Sequence, residues 1–136
     1  MYSKIRIISA MCLWLMGTAP VFAGVVVVVN PSNPASNITV SKIKQIYMGG
    51  SNLFVPLEQD EHSTIRTEFY KKVMEKSPAQ VEAIWAKLVF TARGSAPKVY
   101  KTSTSLKKAI SDNVNAMGYM EKSEIDETVK VIAEFH

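Results

Sequence analysis

The chain has 136 residues, of which 47% are hydrophobic and 21% charged, and a formal net charge of +4. That length supports one domain with one core and is too short for two of ordinary size. The charge excess is too small to argue for nucleic acid or a membrane surface as partner, and no basic tail closes the chain.

Residues 1–23 have the three-part layout of a secretory signal. Lys4 and Arg6 give a positive start, Ile7 to Met16 an apolar run, and Gly17 and Pro20 a break. Val21-Phe22-Ala23 then places small residues where a signal peptidase reads. The alternative is an uncleaved anchor extended by Val25 to Val29, which Pro20 and the strand preference of valine oppose. Cleavage after Ala23 leaves Gly24 to His136, 113 residues in a single domain directed to the periplasm with no remaining membrane span, and takes the net charge to +2. Cys12 is the sole cysteine and leaves with the leader, so the mature part has no disulfide and no catalytic thiol.

Gly24 to Val29 is a continuous β-branched run, read as a strand covered on both faces, the kind found in parallel sheets. Asn30 to Asn37, with two prolines and three asparagines, is a loop. Ser41 is expected to cap a short helix with Ile43, Ile46 and Tyr47 on one face, stopped by Gly49-Gly50. Phe54 to Leu57 reads as a second strand.

A helix starts at Asp60 or Ser63 and carries an apolar stripe of Ile65, Phe69, Tyr70, Val73 and Met74. Ser77-Pro78-Ala79-Gln80 is a capping box with proline at the first helical position. It opens a helix whose core face is expected to be Val81, Ile84, Trp85, Leu88 and Val89. Lys98 to Tyr100 forms a brief strand, and Ser103 or Thr104 caps a helix carrying Leu106, Ala109 and Ile110. Ala116 to Met120 and Val129 to Ala133 are the last strands. The alternation predicts an α/β fold, a small and mostly parallel sheet flanked by helices.

Ligands of open α/β sheets collect beyond the carboxyl ends of strands, where helix N-termini present unpaired N–H groups. Two helix starts here are rich in hydroxyls: Gln59 to Thr64, and Lys101 to Ser105. Free N–H groups, the helix dipole and hydroxyl donors together suit an oxyanion. Asp60, His62, Ser63, Thr64, Arg66, Ser103 and Thr104 are therefore the candidate ligand-binding residues. Plain capping by Ser and Thr, and an ordinary solvated face for His62 and Arg66, are the competing readings.

A metal centre at Glu58, Asp60, Glu61 and His62 lacks a second His or Cys. No Ser–His–acid arrangement is arguable, with His136 at the chain end. The reading is a non-enzyme with no cofactor, no metal and no catalytic residue.

Val25 to Asn30, Ile43 to Gly49, Gln59 to Thr64, Ser77 to Val81 with Trp85 and Phe90-Thr91, and Ala116 to Tyr119 follow one another in an order that resembles the phosphate-binding proteins of ABC importers, in particular short members of that family. The resemblance implies one lobe of a periplasmic-binding-protein-like fold, where full-length members hold phosphate between two lobes. It implies that Asp60 matches an acidic residue accepting a hydrogen bond from protonated phosphate, and that Thr64 matches the family's threonine. His62 stands at a serine position, Glu61 and Ser63 at glycine positions, and Glu58 where an arginine often pairs with the anion. Losing the glycines restricts close backbone approach, Glu58 and Glu61 add negative charge, and Arg66 is expected to compensate.

The function implied is periplasmic solute binding, of phosphate or a related oxyanion, for ABC-type uptake or sensing. An ABC permease or a second copy is then the macromolecular partner. The alternative is an exported interaction module that keeps the lobe and binds no ligand. The side that would face a second lobe, with Asn52 to Phe54, Tyr100 and Tyr119, is expected to be open and apolar.

Overall fold

In a computed structural model the described residues are 24–136, so the leader expected over residues 1–23 lies outside them. Five strands form one sheet: β1 (Val25–Val29), β2 (Val55–Gln59), β3 (Lys98–Tyr100), β4 (Ala116–Glu121) and β5 (Lys130–Phe135). Their spatial order is β3-β2-β4-β1-β5. The helices are α1 (Val40–Tyr47), α2 (Thr64–Phe69), α3 (Pro78–Phe90) and α4 (Ser103–Asp112). Among the described residues no helix is long and apolar enough to cross a membrane.

The five valines of β1 are fully buried, because helices cover both faces of the sheet. Val25, Val27 and Val29 point into one core layer with Ile43, Phe69, Val73 and Tyr119. Val26 and Val28 point into the other, against Leu106 and Ile110 of α4. The burial is as expected for this run, but the ladder direction is not. β1 is antiparallel to both β4 and β5, while β2 is parallel to β3 and β4. The sheet is therefore mixed, and its parallel part is confined to β3-β2-β4. Burial on both faces gives the same continuous apolar run whichever way the neighbours point.

Asn30 and Asn33 hold the loop after β1. The Asn30 amide donates to the carbonyls of Ile110 (2.9 Å) and Ser111 (3.0 Å), and that of Asn33 to the carbonyl of Val114 (2.8 Å). The loop thus closes off the end of α4, which has neither glycine nor a basic residue in its last turn.

Helix starts differ from expectation by one or two residues. Thr39, not Ser41, caps α1, and Thr102, not Ser103 or Thr104, caps α4. In each case the earlier threonine accepts from the backbone three residues on, as an N-cap does. The capping box at Ser77 and Gln80 is formed in both directions.

Beyond α2 the chain continues as a π-helical turn, Tyr70–Met74, closed by Glu75 in left-handed conformation. This wider turn buries Phe69, Tyr70, Val73 and Met74 together. Phe69 stacks on Tyr119 with centroids 3.8 Å apart and meets Tyr47 edge-on.

The stripe expected on α3 is only partly covered, with Ile84, Trp85 and Leu88 half-buried. Val81 is buried, whereas Val89 is 50% exposed and Phe90 91% exposed. Phe69 and Val27 share the core, Trp85 packs at its margin and Leu88 is half-buried. The Trp85 indole N–H donates to the carbonyl of Tyr47 (2.8 Å) and pins α3 to the end of α1. Gly49, at φ +76°, lies under Trp85 and Leu88, where a Cβ would come within 2.4 Å of a Leu88 methyl.

Candidate functional site

β2 and β3 are parallel neighbours, so both hydroxyl-rich turns emerge at the same edge of the sheet. The backbone N–H of Asp60 donates to the carbonyl of Tyr100 (3.1 Å) and ties the two turns together. The helices that follow separate, however. Phe69 of α2 packs into one core layer and Leu106 of α4 into the other, so the two N-termini straddle the sheet.

In the first turn, the Asp60 carboxylate accepts from the His62 N–H (3.1 Å) and the Asp60 carbonyl from the Ser63 N–H (2.9 Å). Ser63 caps α2 by accepting from the Arg66 N–H (3.3 Å). The side chains of His62 and Thr64 are exposed and that of Ser63 is half-buried. At the first two positions of a helix the N–H groups have no carbonyl to donate to, which leaves those of Thr64 and Ile65 available. In the second turn, Ser103 donates to the Glu124 carboxylate (2.5 Å). Thr104 lines a separate depression with Lys107, Ser111 and Asp126. Ser103 and Thr104 are thus not brought together with Ser63 and Thr64.

Arg66 and Glu58 have an arrangement that the sequence did not suggest. Glu58 sits on β2 between Leu57 and Gln59, and all three are buried. Leu57 points into the α4 layer, so Glu58 points the opposite way, into the layer of α2. There its carboxyl accepts hydrogen bonds from the Tyr70 hydroxyl (2.7 Å), the Tyr119 hydroxyl and the Gln59 N–H (3.1 Å). The Arg66 Nε lies 3.8 Å from the same carboxyl. Arg66 is only 7% exposed, its Nη2 donates to Glu82 of α3 (3.4 Å), and its guanidinium lies over the Tyr70 ring.

Burial pushes the Glu58 carboxyl above the usual glutamate range, against the pull of the two tyrosine hydrogen bonds and Arg66. Burial, reinforced by the Glu58 charge, also raises the Tyr70 and Tyr119 hydroxyls, keeping them as donors. For Arg66 burial works downward and is the largest single influence, but the Glu58 charge together with Tyr70 and Tyr119 outweighs it and holds the guanidinium above its ordinary value. The charge at Glu58 is therefore answered inside the protein. Arg66, expected as an anion partner, is already engaged by two glutamates.

Beside this cluster runs an open groove of about 810 Å³ between α3, the β2 end and β3. Its floor is apolar, with Val81, Trp85, Val89, Pro97 and Val99, Phe90 stands at its rim, and its polar end holds Asp60, Glu61, Arg66 and Lys101. Of the sequence-derived candidates, Asp60 and Arg66 line the groove, whereas Ser63 and Thr64 lie outside it. This groove is one open apolar surface, and Leu53, 60% exposed, lines another beside Ile38 and Pro34. Tyr119 and Phe54, expected to be part of an exposed face, are core residues. Among the described residues no cluster of three or more His, Cys, Asp or Glu is arranged to hold a metal ion.

No protein-family model and no curated protein matches the sequence. Solved structures do match the fold. An ABC-type phosphate transport receptor from Vibrio cholerae aligns over 80% of this chain and 45% of its own, with a TM-score of 0.63 and 21% identity. A Clostridium perfringens protein solved with bound phosphate aligns over 80% of this chain and 44% of its own, with a TM-score of 0.65 and 21% identity. A possible phosphate binding protein from Planctomyces limnophilus aligns over 80% and 40%, with a TM-score of 0.56 and 18% identity. This chain thus spans less than half the length of each, and it shares the fold of the matched portion.

Proposed function

We propose that this chain is an exported, non-enzymatic solute-binding lobe that recognises phosphate or a related oxyanion at the start of α2. The observation that carries the reading is a single juxtaposition. A lobe with the fold of phosphate receptors presents, beyond its β2 end, the Thr64 hydroxyl, a half-buried Ser63 and the two free N–H groups of a first helical turn. The acid nearest that turn in the interior, Glu58, is offset by Arg66, Tyr70 and Tyr119, so it does not stand against an incoming anion. Asp60 supplies an acceptor for a protonated oxyanion. With Arg66 engaged elsewhere and the Thr64 side chain open to solvent, binding to this turn is weak, roughly millimolar.

Calorimetric titration of the exported protein with phosphate and sulfate tests this. Thr64→Val removes a donor while keeping volume and is expected to cost about 1–3 kcal/mol of binding. Phosphate affinity unchanged by that substitution would remove the site.

The second reading, an interaction module that binds no solute, is favoured by one feature. The groove along α3 leaves Phe90 91% exposed beside a continuous apolar floor, which suits a macromolecular contact better than a small anion.

A further inference from the structure

We propose that Glu58 and Arg66 form a proton-controlled gate on anion affinity. The charged carboxylate holds Arg66 inward, and protonation of Glu58 releases the charge of the arginine to an oxyanion at the start of α2. The gate rests on the oxyanion reading of that turn and adds its regulation.

Arg66 is held by charge more than by hydrogen bonds. Its Nε lies 3.8 Å from the Glu58 carboxyl, beyond hydrogen-bond distance, and is buried without an acceptor among the described residues. Its Nη2 reaches Glu82 at 3.4 Å, the long end of the range, and the Glu82 side chain is 63% exposed. An arginine that settles a buried carboxylate commonly forks two short bonds onto it. This one makes none to Glu58. The same guanidinium stands beside the candidate anion turn. Arg66 follows Thr64 by two residues, and with Asp60 and Glu61 of the turn it lines the polar end of the groove.

Glu58 is the carboxyl at this end that water does not screen, since Asp60 is half-buried while Glu61, Glu82 and Lys101 are exposed. The groups that face it are Tyr70 on the π-helical turn, Tyr119 on β4, Tyr47 on α1 and Arg66 on α2. Burial keeps the three hydroxyls protonated, so Arg66 is the counter-charge among them. When Glu58 takes up a proton, the Tyr70 hydroxyl turns from donor to acceptor for it. The pair then changes from neutral to one net positive charge. Burial places that step above the usual glutamate range. By reciprocity, an anion at the turn draws a proton onto Glu58.

Sulfate is the probe, because it keeps one charge state across the range in which phosphate titrates. Calorimetric titration of the exported protein from about pH 8 to about pH 5 is expected to show sulfate affinity rising at least about fivefold. Titrations in buffers of different ionisation enthalpy should show proton uptake on binding, a reading that needs no variant. Glu58→Gln should hold the acid-limit affinity at every pH, and Arg66→Met should stay at the weak limit. His62, exposed in the same turn, would also favour an anion once protonated, so His62→Gln is the control and should keep most of the rise. A pH profile that survives in Glu58→Gln, or that disappears in His62→Gln, overturns the gate and leaves the anion site standing. So does sulfate binding with no proton uptake. Absence of sulfate binding to the parent and to Glu58→Gln at every pH defeats the oxyanion reading itself, and the gate with it.

Discussion

Replacing Arg66 with methionine keeps the length and apolar stem of the side chain and deletes its charge. In the native protein the Arg66 Nε is 3.8 Å from the Glu58 carboxyl, with both side chains less than a tenth exposed. Removing one partner of a buried pair costs about 3–5 kcal/mol, because the other charge is stranded. Two features reduce that figure here. Glu58 keeps its bonds from Tyr70, Tyr119 and the Gln59 N–H, and it can relieve itself by taking up a proton. The expected loss at pH 7 is therefore about 2–3 kcal/mol. For a domain of this size that is a fall in Tm of about 8–12 °C. Urea denaturation at pH 7 and pH 5 is the assay. Protonation of Glu58 at the lower pH should shrink the loss, and Arg66→Met combined with Glu58→Gln should recover more than half of it. A loss below about 0.5 kcal/mol at both pH values, the range of an ordinary surface substitution, would refute the assignment of Arg66 to the core.

Glu58 also sets a pH dependence. Burial raises its carboxyl above the ordinary value of 4.5, so the folded protein holds a proton that the unfolded chain has already released. Stability from this group is complete below 4.5 and is lost as pH rises through the raised value. Glu58→Gln should flatten that slope, and parallel stability–pH curves for parent and variant would contradict it. Trp85→Ala deletes the bond to the Tyr47 carbonyl and the packing over Gly49. Because Trp85 is only half-buried, about 2–3 kcal/mol is expected, below the range of a fully buried aromatic, and an unchanged denaturation midpoint would show that α3 is not anchored there. Intact-mass analysis of exported material should give a chain starting at Gly24, and a species retaining Met1 would rule out cleavage after Ala23.

Most of the architecture was legible because it rests on local rules. The valine run announced a strand covered on both faces, Ser77 and Gln80 announced a helix start, and the alternation of elements announced an α/β sheet with helices on both sides. What escaped was decided by tertiary context. A run buried on both faces carries no mark of ladder direction, so the antiparallel placement of β1 was invisible. The α3 stripe had the right period, but periodicity does not reveal whether another element covers it, and Val89 and Phe90 are left in solvent.

The roles of Glu58 and Arg66 escaped for a related reason. Glu58 and Arg66 were weighed by their charge toward a ligand, whereas the pleat of β2 turns Glu58 inward. The available signal was a carboxyl at an inward strand position, between Leu57 and Gln59, with tyrosines on the apolar stripe after Ser63 and on β4. Such a carboxyl must find donors, and the Tyr70 and Tyr119 hydroxyls and the Gln59 N–H are those donors, with Arg66 as the counter-charge. The hydroxyls of Ser63 and Thr64 remained where the sequence put them, at the start of a helix.

Amide shift mapping of the isotope-labelled exported protein during a phosphate titration tests the central claim most directly. The account predicts saturable shifts confined to His62, Ser63, Thr64 and Ile65, with smaller changes at Asp60 and none along α3. Shifts that do not saturate by about 20 mM, well above a roughly millimolar dissociation constant, or that fall on the α3 groove instead, would contradict the solute-binding reading.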